Sequence, residues 1–213
     1  AFTAAGSGSI DVTGTLIADA HAGANSITGT PGMDTTGGTI TLTTTGGTIA
    51  FGDASMFDVH AFGGDGTTGG TGTGAFLADG GSITGTGETT LFANGYSGSS
   101  EMGSGLAAGD GVGGTITLAT GAGGGDLSFG TLIATADGND IFFNDPSEPF
   151  INFDGDGGDG IGGAITVTMD GGSLTAGDVA LSASGFGYAA GAHDSALGTT
   201  PFVSGSGTGG LVG

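Results

Sequence analysis

The chain has 213 residues, 54 of them glycine, and carries 21 acidic residues against no lysine, arginine or cysteine, for a formal charge of −21. Without cations it has nothing to displace the counterions of a phosphate backbone or to meet an anionic headgroup, which excludes nucleic acid and acidic lipid surfaces as partners. Without thiols it has no disulfides, thiolate nucleophiles or Cys-ligated metals, and no apolar run approaches the about 18 residues of a membrane-spanning helix, so no membrane insertion is expected.

High glycine and high charge can also describe a chain that never collapses. Against that, 36% of the residues are hydrophobic, and they fall in short β-branched bursts. Glycine is costly in helices, and no long stretch has a 3.6-residue apolar period. The bursts repeat. Ser9-Ile10-Asp11-Val12 is followed by Thr15-Leu16-Ile17-Ala18-Asp19-Ala20. Gly37-Gly38-Thr39-Ile40-Thr41-Leu42 then opens a fuller unit, continued by Gly46-Gly47-Thr48-Ile49 and Met56-Phe57-Asp58-Val59. Ala75-Phe76-Leu77-Ala78, Gly80-Gly81-Ser82-Ile83 and Thr90-Leu91-Phe92-Ala93 repeat the sentence with a degenerate first strand. Gly113-Gly114-Thr115-Ile116, Gly124-Gly125-Asp126-Leu127 and Thr131-Leu132-Ile133-Ala134 give it again, as do Gly162-Gly163-Ala164-Ile165, Gly171-Gly172-Ser173-Leu174 and Val179-Ala180-Leu181.

Each unit thus reads as three short strands and a glycine-rich loop. Ile10, Ile49, Ile83, Leu127 and Leu174 are 39, 34, 44 and 47 residues apart, and the loop absorbs the difference. A sandwich of short strands does not call for the same sentence with an insert at one fixed place. A right-handed parallel β-helix of about five coils does, with each coil stacked about 4.8 Å from the next. In Thr39-Ile40-Thr41-Leu42-Thr43 the aliphatic residues point inward and the threonines outward. Glycine is expected at the corners, where φ is often positive. Residues 1–213 read as a single β-helical segment. Ser9–Val12 already reads as a second strand and Gly209-Gly210-Leu211-Val212 starts a new coil, so the segment is expected to belong to a longer array.

The stretches GGTITL…GGTIAFGD and GGAITVTMDGGSLTAGDVALSASGFG resemble coils of filamentous-haemagglutinin-like and autotransporter-passenger surface proteins of Gram-negative bacteria. That resemblance of repeat style implies an extracellular or cell-surface β-helical stalk or filament, used in adhesion or surface coating. It supplies no functional residue to carry over.

Several groups of residues are candidates for sites. Laying Asp19-Ala20-His21 over Asp58-Val59-His60, 39 residues on, turns Asp19, His21, Asp58 and His60 outward on one patch. Two imidazoles and two carboxylates there could ligate Zn²⁺ or another transition metal, although the later coils do not keep the pattern. For calcium the densest segment is Asp154-Gly155-Asp156-Gly157-Gly158-Asp159, whose hard oxygens on a flexible backbone suit Ca²⁺. It meets neither the nonapeptide calcium repeat nor the EF-hand loop. Residues 137–161 form an acidic, Phe-rich insert holding seven of the acids. Within it, Phe142 and Phe143 face Phe150 and Phe153 across Asp145-Pro146-Ser147-Glu148-Pro149, which reads as a hairpin. Its phenylalanines either fold back on the coils or contact a partner. Phe62, Tyr96, Phe186 and Tyr188 recur at the strand-to-loop junction and could stack a glycan. The outward threonine rows (Thr39, Thr41, Thr43; Thr115, Thr117; Thr166, Thr168) are compatible with an ice-binding face and equally with ordinary strand surface.

Catalysis has little support. Only three acids are Glu, no paired carboxylates mark a cleft, and no nucleophile elbow lies between a strand and a helix. The chain therefore reads as a non-catalytic structural segment of an extracellular filament or adhesin, whose partners are further copies or filament neighbours. The alternative is a Ca²⁺- or glycan-binding module acting on a glycan or another cell-surface ligand.

Overall fold

The computed structural model describes residues 1–23, 33–65, 69–98, 109–138, 158–187 and 206–213. Among them every regular element is a strand, and every pairing between strands is parallel. The first sheet stacks β1 (Phe2–Ala5), β5 (Thr39–Thr45), β9 (Thr73–Asp79), β13 (Thr115–Thr120), β16 (Ala164–Met169) and β19 (Leu211–Val212) in that order. The second stacks β2 (Ser9–Asp19), β6 (Thr48–Asp58), β10 (Ser82–Phe92), β14 (Gly125–Thr135) and β17 (Gly172–Ser182). A third holds β3 (Ala22–Gly23), β7 (Ala61–Asp65) and β11 (Gly95–Gly98). The fourth holds β4 (Thr35–Thr36), β8 (Gly69–Gly70), β12 (Gly111–Val112), β15 (Gly160–Ile161) and β18 (Gly207–Thr208). The chain visits these sheets in turn and lays each strand beside its counterpart one repeat away. The architecture is all-β and consistent with a β-solenoid.

Register follows the aliphatic positions of the sequence. Ile10, Ile49, Ile83, Leu127 and Leu174 are direct partners along the second sheet. In β5, β9 and β13 the residues alternate between buried and accessible. Leu42, Phe76, Leu118, Ile83 and Leu127 are fully buried in one core. The core is filled by alternating sizes: along the second sheet Phe51, Gly85 and Phe129 are neighbours. A Cβ on Gly85 would come within 2.6 Å of the Phe51 ring. Close packing leaves no slack for it.

Two expectations need correction. What read as separate second and third strands is one eleven-residue strand in each of β2, β6, β10, β14 and β17. The glycines between them bend the strand without ending it. Pairing slips there, β10 carrying one residue more than β14 between Gly85 and Glu88, as in a bulge. Second, both Gly-Gly corners require close approach, as at Gly125, where a Cβ would lie 2.4 Å from the Ala78 carbonyl oxygen, and one of them requires positive φ as well. Where the first sheet leads into the second, φ is positive, +70° at Gly124. At the other corner the need is close approach: a Cβ on Gly163 would lie 2.0 Å from the Gly114 carbonyl oxygen.

That second corner also closes most of the repeats. Gly38, Gly114 and Gly163 donate their amides to the carbonyls of Ala20, Ala93 and Ala136, at 2.7, 2.6 and 2.7 Å. These bonds run between the end of one long strand's segment and the start of the next first-sheet strand. The third and fourth sheets and the variable stretches of sequence all lie within the arc of chain that they close. Loop length can change above this clamp without disturbing the stack below it.

Candidate functional site

The side chains richest in chemistry collect where the second sheet passes into the third. Asp19 pairs with Asp58 in register, and two residues on, the His21 and His60 rings stack with centroids 5.0 Å apart and planes 3° from parallel. Each histidine is tied to the aspartate two residues before it. The His21 amide donates to Asp19 Oδ1 at 3.1 Å, and its Nδ1 lies 2.5 Å from the same oxygen. The His60 amide likewise donates to Asp58 Oδ1 at 3.1 Å, and its Nδ1 contacts that oxygen too. The His21 amide, and then its imidazole, hold the Asp19 carboxyl below its usual pKa. The first pair is half exposed, whereas Asp58 and His60 are largely covered.

A carboxylate on Nδ1–H fixes the neutral imidazole with its lone pair on Nε2, the atom able to take a proton or a metal. Parallel rings, however, aim their Nε2 lone pairs side by side. Two dyads thus stand next to each other, and one ring would have to turn before a single ion could bridge them. Among the described residues no group of three or more histidines or acids is arranged to hold a metal.

Beyond the dyads lie aromatic rings. Phe62 and Tyr96 are register partners and stack at 4.6 Å and 18°. His60 meets both edge-on, at 4.7 and 5.6 Å. Phe62 is 40% exposed but Tyr96 only 7%, so the sequence's aromatic column is a packed stack with one open face. Phe186, 53% exposed, lies further along the third sheet's side of the stack, its amide bonded to the Gly138 carbonyl. Tyr188 lies outside the described residues.

The column of His21 and His60 continues as Asn94, Asp137 and Ser184, a polar ladder in place of the Asp–His pattern that the later coils do not keep. Asn94 is buried; its Oδ1 accepts the Asp137 amide at 2.8 Å and the Thr135 hydroxyl at 2.9 Å, and its Nδ2 donates to the Tyr96 hydroxyl at 3.1 Å. Asp137, also buried, accepts the Ser184 amide at 2.6 Å and the Ser182 hydroxyl at 2.7 Å. Each side chain thus caps the backbone of the next repeat, satisfying buried polar groups pairwise. The available signal was positional: Asn94, Asp137 and Ser184 each follow an inward alanine, as His21 does.

The candidate calcium ligand Asp159 belongs to a similar ladder beside the fourth sheet. Its amide donates to Asp110 Oδ1 at 2.9 Å, and its own Oδ1 accepts the Ser206 amide at 2.6 Å and hydroxyl at 2.9 Å. The Ser206 amide, and then its hydroxyl, lower the carboxyl's pKa. Asp154, Asp156 and the phenylalanines Phe142, Phe143, Phe150 and Phe153 lie outside the described residues.

Comparison with protein-family models, with curated proteins and with solved structures finds no match to this chain.

Proposed function

We propose that the chain is a non-catalytic, right-handed parallel β-helical segment of about five coils, serving as a rigid structural element of an extracellular filament or surface adhesin. Its loops mediate self-assembly or surface contact. The observation that carries the reading is the register: each strand lies on its own counterpart, and the loop-base clamp recurs at Gly38, Gly114 and Gly163. Such a stack propagates stiffness by backbone bonds and can be lengthened by adding repeats, while loop sequence varies freely. The test is a tandem fusion of two copies, examined by electron microscopy and small-angle scattering. Length should double at constant cross-section; two globules joined by a hinge would overturn the reading. Immunolabelling of intact expressing cells checks surface placement, and label confined to permeabilised cells would refute it.

A second reading, a glycan-binding module, is favoured by one feature, the open face of Phe62 stacked on Tyr96. An oligosaccharide panel with Phe62→Ala as control tests it, since glycan binding through that face must be lost in the variant.

A further inference from the structure

The outer faces of the two large sheets differ sharply in charge. Every strand of the second sheet carries an exposed acid: Asp11, Asp53, Glu88, Asp126 and Asp178 in β2, β6, β10, β14 and β17. In the first sheet the only acid within a strand is Asp79, the last residue of β9. The middle outward column of that sheet is Thr41, Ala75, Thr117 and Thr166, direct partners across β5, β9, β13 and β16. The flanking outward columns of these four strands hold threonine and alanine with the single larger residue Leu77. All these side chains keep some accessibility, while the alternate residues Leu42, Phe76 and Leu118 are fully buried. On a chain of charge −21 with no lysine or arginine, this is a broad, small-residue face whose carboxylates, Asp79 and the neighbouring Asp170, lie along one edge.

We propose that this face docks on the same face of a second copy. The inference rests on the assembly reading above and identifies the surface that assembly would use. Two identical chains cannot form salt bridges to Lys or Arg, since neither has any, and contact through the second sheet would bring carboxylates together without compensation. The first sheet is where two copies can approach at the about 10 Å spacing of stacked sheets with no charge at the centre of the contact, Asp79 being at its edge. Charges elsewhere on the two chains are then screened over about 8 Å at physiological salt. Size also suits a pair. Six strands at about 4.8 Å, the four central ones of 6 or 7 residues and the outer two of 4 and 2, cover roughly 500 Å². Two such faces bury roughly 1,000 Å², about the least that a specific interface needs. Threonine methyls, alanines and Leu77 supply apolar contact, with no long charged side chain to immobilise.

The test is sedimentation equilibrium of the 213-residue chain at 0.15 M and 0.5 M NaCl. A reversible dimer is expected, tighter at the higher salt. Thr117→Glu should weaken it at least tenfold with the melting curve unchanged, whereas Thr131→Glu, on the second sheet, should leave it as it was. A folded Thr41→Lys/Thr117→Lys/Thr166→Lys chain mixed with the corresponding triple Glu chain should form a heterodimer tighter than either homodimer, which keeps the test valid if a single variant loses stability. A folded chain that stays monomeric at millimolar concentration in both salts overturns the proposal, and so does a dimer indifferent to Thr117→Glu. Thermal hysteresis in wild type that is lost in Thr117→Glu would reassign the face to an ice surface and likewise overturn it. None of these results changes the shape of the tandem fusion, so this inference and the structural reading fail separately.

Discussion

The Gly-Gly corner gives the sharpest test of why this composition folds. A Cβ on Gly163 would sit 2.0 Å from the Gly114 oxygen and 2.5 Å from the Gly113 carbonyl carbon, against 3.4 Å or more for ordinary contact. Both obstacles are backbone and must retreat, the oxygen by about 1.4 Å and the carbon by about 0.9 Å. They cannot do so freely, because three hydrogen bonds meet there: Gly163 N to Ala136 O at 2.7 Å, Ala164 N to Gly114 O at 2.9 Å, and Leu211 N to Gly163 O at 3.0 Å. Losing them at about 1 kcal/mol each costs about 3 kcal/mol. Stiffening the unfolded chain returns about 0.4–1 kcal/mol. Gly163→Ala should therefore destabilise by about 2 kcal/mol, lowering the midpoint by about 4–8 °C for a chain of this size. Gly14→Ala is the control: its Cβ meets nothing within 4 Å and its φ is not positive. There only the unfolded-state gain operates, so the midpoint should rise by about 1–4 °C. Thermal unfolding followed by far-UV circular dichroism measures both. Equal shifts in the two variants would refute the close-approach argument and leave glycine at this corner unexplained.

Asn94→Leu strips the acceptor from the buried Asp137 amide and the Thr135 hydroxyl, and denaturant titration should show a loss of about 2–3 kcal/mol. Leu118, fully buried at the centre of the first sheet, should lose about 2–5 kcal/mol on Leu118→Ala in the same assay. The Thr44 and Thr89 hydroxyls are buried with no hydrogen-bond partner among the described residues, so Thr44→Val should stabilise by about 1 kcal/mol; a loss instead would reveal a bond to that hydroxyl. The Asp19 carboxyl, bonded by His21, is held below its ordinary 3.8 in the folded state. Its contribution is therefore present above that pH and lost as pH falls through the lower folded value. Acid unfolding curves of wild type and Asp19→Asn should accordingly differ near neutrality and converge toward pH 2; a difference that grows on acidification would contradict the assignment.

The sequence alone determined the repeat, because period-two alternation of small aliphatic and threonine residues is a local property and recurs wherever Gly-Gly precedes it. It set the stacking register too: slipping one residue would turn Ile49, Ile83 and Leu127 out of the core, and the structure pairs them as the spacing requires. It placed His21 over His60 for the same reason. The long bent strands were hidden because Gly52, Gly130 and their counterparts read as stops, and only pairing on both sides shows that a bulge carries the ladder through. Which corner needs left-handed backbone besides close approach was equally illegible, since both are written Gly-Gly. The hydrogen bonds of the Asn94–Asp137–Ser184 ladder belong to the same class, whereas the outward threonine rows of the first sheet were already legible. The ladder's members stand 43 and 47 residues apart in the chain, and their bonds exist only once the strands are stacked.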